Sequence, residues 1–199
     1  MAANLTPVAS DGALDDATVL RASGEDPELF AVLYDRYAEQ LFQYAQRRLG
    51  PDAAQDVVAE TFLAAFRHRA RYDSGRPLAR PWLFGILVKE IARHRRKERA
   101  YLKAVASAPR DVVDGPAERV GDEVLAWASR ASVAAALLAL SARERELLLL
   151  IAWSELSYEE AAEVLGLPIG TVRSRLSRAR QKVRRQLAEG AGTNVRNEG

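Results

Sequence analysis

Apolar residues recur along this chain at intervals of three and four and almost nowhere in strict alternation, which is the spacing of amphipathic helices. Asp26 followed by Pro27 marks a helix start, with a short acid at the N-cap and the proline ring at the first helical position. From there Leu29, Phe30, Leu33, Tyr37, Leu41, Tyr44 and Ala45 keep one face apolar as far as Gly50, a natural stop. Pro51–Asp52 opens a second helix whose inner side is Ala54, Val57, Val58, Thr61, Phe62, Ala65 and Phe66, and which runs out near Arg71–Tyr72. Asp73–Arg80, with Ser74, Gly75 and Pro77, is a loop. Pro81 begins a third long helix with Leu83, Ile86, Leu87 and Ile91 inward, and a short helix is expected to follow Asp15–Asp16.

Past Lys103 the pattern lapses. Pro109, Gly115, Pro116 and Gly121, set among Asp111, Asp114 and Asp122, describe a linker with little capacity to pack. Periodicity then returns with two capping boxes: Ser141 with Glu144 ahead of Leu147–Ile151, and Ser157 with Glu160 ahead of Ala161–Leu165. Leu156 is placed to act as a hydrophobic staple for the second. Gly166 ends that helix, Pro168 sits in the turn, and a last helix is expected from about Ile169 to Gln186. A short helix, a tight turn and a longer basic helix make a helix-turn-helix.

Val172, Leu176, Ala179, Val183 and Leu187 give the last helix a buried stripe. Its other faces carry Arg173, Ser174, Arg175, Ser177, Arg178, Arg180, Lys182, Arg184 and Arg185, with no acid until Glu189. A major-groove helix needs both halves, an apolar side to hold it and Arg plus small polar groups to reach bases and phosphates. Arg173, Ser174 and Arg178 lie in its first turns, where such a helix meets base edges. The expected fold class is all-α: two small helical domains joined by a flexible linker, the C-terminal one a helix-turn-helix. The limits are 1–14 for a disordered N-terminus, 15–99 for the first domain, 100–127 for the linker, 128–188 for the second domain and 189–199 for a disordered tail.

Composition narrows the chemistry. A net charge of +2 says little, but basic residues gather at Arg93–Lys103 and Arg173–Arg185 while acids gather at Asp11–Asp26 and Asp52–Glu60. Local basic stripes on a near-neutral chain suit site-directed binding of nucleic acid rather than a general polyanion coat. The chain has no cysteine, and His68 and His94 have no ligand spacing around them, so neither disulfides nor a metal site is expected. No glycine loop could cradle phosphates and no nucleophile has a base at usable spacing, so no catalytic residues and no cofactors are expected. Met1–Ser10 lacks the basic start and apolar core of a signal peptide, and the longest apolar run, Leu147–Trp153, is too short to span a bilayer. The expectation is a cytoplasmic protein with no membrane insertion.

Three stretches carry a family resemblance. Leu156–Leu187, LSYEEAAEVLGLPIGTVRSRLSRARQKVRRQL, closely resembles the C-terminal domain of the extracytoplasmic-function (ECF) sigma factors of bacterial RNA polymerase. Asp52–Asp73, DAAQDVVAETFLAAFRHRARYD, is similar to that family's core-polymerase-binding helix, and Arg80–Arg96, RPWLFGILVKEIARHRR, to its minus-ten recognition helix. Order and spacing agree over nearly all of Asp15–Leu187. The resemblance implies three surfaces. Core RNA polymerase would be bound through Asp52, Asp56, Val57, Glu60 and Thr61. The minus-ten element of promoter DNA would be captured by the loop and helix carrying Arg76, Arg80, Lys89, Arg93 and Arg96. The upstream, minus-thirty-five element would be read by Thr171, Arg173, Ser174, Arg175, Ser177 and Arg178. It also implies an anti-sigma factor as a controlling partner. The chain departs from the family pattern at Ala59, where Gln is common, at Gln55, where an acid is, and at Lys89, where Asn is usual. A lysine is a flexible point charge and cannot reproduce an amide's donor-and-acceptor edge. Two other readings fit less of the chain. An ordinary helix-turn-helix regulator leaves the first domain without a purpose, and a sigma-like decoy that binds only a regulator has no need for the dense Arg set of the last helix.

Overall fold

The computed structural model describes residues 14–106 and 132–194, and every regular element among them is helical. The chain divides into two compact units, Met1–Ala92 and Arg93–Gly199.

The first unit opens with α1 (Asp16–Ala22), capped by Asp15, whose carboxylate accepts from Thr18 N–H at 2.6 Å. That backbone hydrogen bond holds the Asp15 carboxyl below its usual range. Asp26 caps as the sequence predicts, but Pro27–Phe30 forms a 3-10 turn that feeds α2 (Ala31–Leu49) instead of the first turn of one long helix. Gly50 makes the corner into α3 (Pro51–His68) at φ +87°, a conformation side-chain-bearing residues avoid. After a second 3-10 turn (Arg69–Arg71) and the loop, α4 (Arg80–Ala106) begins. Helices α2 and α3 pack on each other, and Leu33, Leu41, Tyr44, Leu83, Phe84, Leu87 and Ile91 are fully buried. Phe30 meets Phe66 and Tyr44 meets Phe84 edge to face, with ring centroids 5.3 and 5.8 Å apart.

In the second unit residues 132–138 are helical, followed by α5 (Ala142–Ser154), α6 (Tyr158–Leu165) and α7 (Ile169–Asn194). Helices α5, α6 and α7 all pack on one another around Leu147, Leu150, Ala161, Val172, Leu176 and Ala179. Both predicted capping boxes form, and Leu156 is buried where a staple belongs. Arg145 on α5 donates to the carbonyls of Leu137, Leu138 and Leu140 at 2.8 to 3.3 Å, closing the C-terminal end of the 132–138 helix.

Two helix ends lie beyond their expected positions. Helix α4 continues through Ala106, into what reads as linker from residue 100, because the first strong breaker is Pro109. Helix α7 continues to Asn194, past Gln186 and into the expected tail, since Gly190 and Gly192 weaken a helix without ending it and no proline follows. Residues 1–13, the linker signals Pro109, Gly115, Pro116 and Gly121, and residues 195–199 lie outside the described residues. No helix among the described residues is long and apolar enough to cross a membrane.

Candidate nucleic-acid interface

The turn ahead of α7 is built by three residues in succession. Gly166, at φ +62°, ends α6 with its N–H on the last carbonyls, and Leu167 N–H returns to the Ala162 carbonyl at 2.9 Å. Pro168 then offers its carbonyl to Thr171 and Val172 at 2.9 and 3.1 Å and so starts α7. Val172, Leu176 and Ala179 are buried, which leaves Arg173, Ser174, Ser177 and Arg178 exposed and Thr171 and Arg175 half-buried at the edges of that face. Ser174 donates to the Thr171 carbonyl at 3.2 Å and Arg178 Nε to the Ser174 carbonyl at 3.3 Å, so both lie along the helix surface. Arg173 forms an ion pair with Glu159 of α6 at 3.5 Å. Both groups are exposed, so the pair is weak and a phosphate or a guanine edge can displace the acid.

Helix α7 is further tied down by Lys182. Its Nζ donates to both Glu144 oxygens, at 2.8 and 3.0 Å, while the same carboxylate accepts from Ser141 in the α5 capping box. The Lys182 hydrogen bonds, followed by those from Ser141, hold the Glu144 carboxyl down at about 2.

In the first unit the loop between Tyr72 and Arg80 has a defined shape. The Asp73 carboxylate accepts from Gly75 N–H at 3.0 Å and from Arg76 Nε at 3.4 Å, and the Tyr72 hydroxyl donates to the Arg76 carbonyl at 2.8 Å. The Tyr72 ring packs edge-on against Trp82, 5.2 Å away, which makes that tryptophan half-buried support for the loop. Residues 73–78 are all exposed. Arg80 is half-buried, donates to Gln40 Oε1 on α2 at 2.9 Å and lies over the Phe84 ring, so its guanidinium is partly committed to the fold. Lys89, Arg93 and Arg96 are exposed at helical spacing along α4.

On α3 the structure separates the five predicted polymerase-binding residues. Asp52, Asp56 and Glu60 are exposed along one line of the helix. Val57 and Thr61 are buried, and the Thr61 hydroxyl donates to the Val57 carbonyl at 2.7 Å, so both serve the core and offer no side chain to a partner. Beside the acidic line Gln55 and Ala59 border a groove of about 440 Å³ whose α2 wall is Tyr34, Ala38 and Phe42. The small side chain of Ala59 leaves this groove open.

Comparison with known proteins places two stretches of the chain in one family. Residues 33–101 match the model of sigma-70 region 2, and residues 130–183 that of sigma-70, region 4. The ECF RNA polymerase sigma factor SigL of Mycobacterium tuberculosis is 37% identical over 87% of this chain and 97% of its own length. The chain belongs to the ECF sigma factors. It is a non-catalytic subunit of RNA polymerase that directs initiation at specific promoters. SigW of Bacillus subtilis, another ECF sigma factor, is 29% identical over 82% of this chain and 91% of its own length. Among solved structures, CnrH in complex with the cytosolic domain of CnrY superposes with a TM-score of 0.58 at 29% identity, covering 87% of this chain and 97% of that one. The sigma factor RpoE of Bartonella quintana, solved with the anti-sigma factor NepR, gives 0.50 at 30% identity over 83% and 98%. An ordinary helix-turn-helix regulator has no region 2, which removes that reading.

Proposed function

We propose that this ECF sigma factor divides promoter recognition between its two domains, residues 15–99 and 128–188, and that named side chains carry each task. The carrying observation is the α7 face. Arg173, Ser174, Ser177 and Arg178 project from a helix whose opposite side is locked by Val172, Leu176 and Ala179, so they cannot rotate away from an upstream duplex. Thr171 and Arg175 flank them. In the first domain the exposed loop 73–78, with Arg76, and the basic face of α4, with Lys89, Arg93 and Arg96, take the non-template strand of the minus-ten element by base extrusion and backbone charge. Arg80 borders this surface while anchored to α2. Asp52, Asp56 and Glu60, with the groove beside them, meet core polymerase. The factor works in the cytoplasm, where polymerase and DNA are. An anti-sigma factor controls it, a reading supported by the anti-sigma partner of the Bartonella quintana relative.

The α7 assignment is tested by two arginines on the same helix. Arg178→Ala removes a base-edge contact worth about 1–3 kcal/mol and weakens binding to the preferred upstream site while sparing scrambled DNA. Arg184→Ala, further along α7, lowers both equally and reduces the log–log salt slope by about 0.9. Equal losses on specific and scrambled sites for the two variants would contradict the assignment.

A further inference from the structure

Asp16 is 2% exposed, and its carboxylate joins three parts of the first unit. Oδ1 accepts from Arg36 Nη1 of α2 at 2.6 Å. Oδ2 accepts from the Tyr37 hydroxyl of α2 at 2.5 Å and from the backbone N–H of Ala79, 63 residues along the chain, at 2.7 Å. Arg36 also donates to the Leu14 carbonyl at 2.7 Å, which fixes the start of α1. Burial, and then the hydrogen bond to Asp16, push the Tyr37 hydroxyl above its ordinary range, so it remains a donor.

The third contact is unusual in what it replaces. Leu83 N–H bonds the Ala79 carbonyl at 2.9 Å, so Ala79 occupies the N-cap position of α4. Alanine has no side-chain acceptor and is a poor cap. Ala79 is also fully buried, so its N–H has no water to fall back on. Trp82, at the third helical position, cannot accept either, so Asp16 supplies from α1 the acceptor that a capping-box glutamate would give the N-cap N–H, and with it a negative charge at the start of α4. The other end of the loop is held by Tyr72 on Trp82 and on the Arg76 carbonyl.

We infer that Asp16 is the positioning residue of the minus-ten loop: its carboxylate, by holding Ala79 N–H, fixes where the loop rejoins α4 and so presents the loop in the shape that captures the displaced strand. This rests on the assignment of loop 73–78 to the minus-ten element. Asp16 touches no DNA and acts through Ala79. Tyr37 shares the carboxylate but not the loop, which separates positioning from stability.

The test uses holoenzyme assembled from core polymerase and the full chain. The probe is a labelled single strand carrying the minus-ten segment of a promoter recovered by run-off transcription. Asp16→Asn leaves at most one carbonyl oxygen to serve the three donors; it is expected to weaken strand binding about tenfold while core affinity and upstream-duplex binding stay unchanged. Tyr37→Phe is expected to lower the melting temperature with little effect on strand binding. If strand binding falls in both variants in proportion to melting temperature, Asp16 is merely structural and the inference is overturned. A Leu78→Ala and Arg76→Ala variant of the loop separates this failure from that of the underlying assignment. Loss in the loop variant with none in Asp16→Asn overturns positioning alone, and no loss in either removes the loop assignment and positioning together. Should Asp16→Asn not fold, hydrogen exchange on the wild-type chain decides. The Ala79 amide is expected to be protected like the α2 core, and exchange as fast as in residues 74–78 overturns the inference.

Discussion

Replacing Glu144 by Gln isolates one ion pair in the second unit. Gln retains the reach of a capping-box residue, so Ser141 N–H keeps an acceptor, while the charge facing Lys182 is lost. A carboxyl held at about 2 instead of 4.5 represents about 3 kcal/mol if the whole difference is realised on folding. Lys182 is 43% exposed, so water screens its half of the pair, and the expected contribution falls to about 1–2 kcal/mol. The pH dependence has a definite sign. Because the folded-state value is depressed, the contribution is fully present above the unfolded value near 4.5 and is lost as pH falls towards about 2. Trp153 lies on α5, and in a Trp82→Phe, Trp127→Phe background its fluorescence reports this unit alone. Urea titration at pH 7 should show Glu144→Gln with a midpoint lower by about 1 M. The gap between the two proteins should close as pH is lowered to 2. An unchanged midpoint at pH 7, or a gap that persists at pH 2, would refute the ion-pair account.

Three further outcomes follow from the same geometry. Reversing Asp56 and Glu60 to Lys should weaken core polymerase association about tenfold at low salt and less at high salt, leaving upstream-duplex binding intact, as read by a core-enzyme gel-shift titration; equal affinity across salt contradicts the acidic line as a polymerase contact. Changing Lys89, Arg93 and Arg96 together to Ala should allow closed complexes but suppress permanganate reactivity of unpaired thymines near the start site, and normal reactivity removes them from strand capture. Glu155 holds φ +54° at the C-cap of α5, so Glu155→Gly should stabilise the second unit by about 0.5–1 kcal/mol in thermal unfolding, whereas a loss would show that its side chain repays the strain.

Much of the fold is legible in the chain because its helix signals are local. Ser141 with Glu144 and Ser157 with Glu160 specify their own caps, and Gly166 and Pro168 specify the turn, so the helix-turn-helix follows from near neighbours. The set proposed to meet polymerase was harder to read because each residue turns a helix by 100°: Asp56 and Glu60 lie on the exposed line, and Val57 and Thr61, one position on, fall in the core. Read for its inner face, α3 already places Val57 and Thr61 there; the family resemblance then assigns them a second role that burial forbids. Asp16 was legible only as part of a helix start. Its partners Arg36, Tyr37 and Ala79 are 20, 21 and 63 residues away, and no local pattern announces a cap delivered over that distance. The pairing of Arg173 with Glu159 was hidden for the same reason, since it depends on how α6 lies against α7.

Run-off transcription with purified core RNA polymerase on a pool of genomic fragments tests the central claim most directly. Addition of this chain should yield transcripts from a discrete subset of fragments, each sharing an upstream and a minus-ten element, and Arg178→Ala should reduce that subset without altering core binding. Transcription no different from core enzyme alone, or initiation spread over the pool without a shared element, would contradict it.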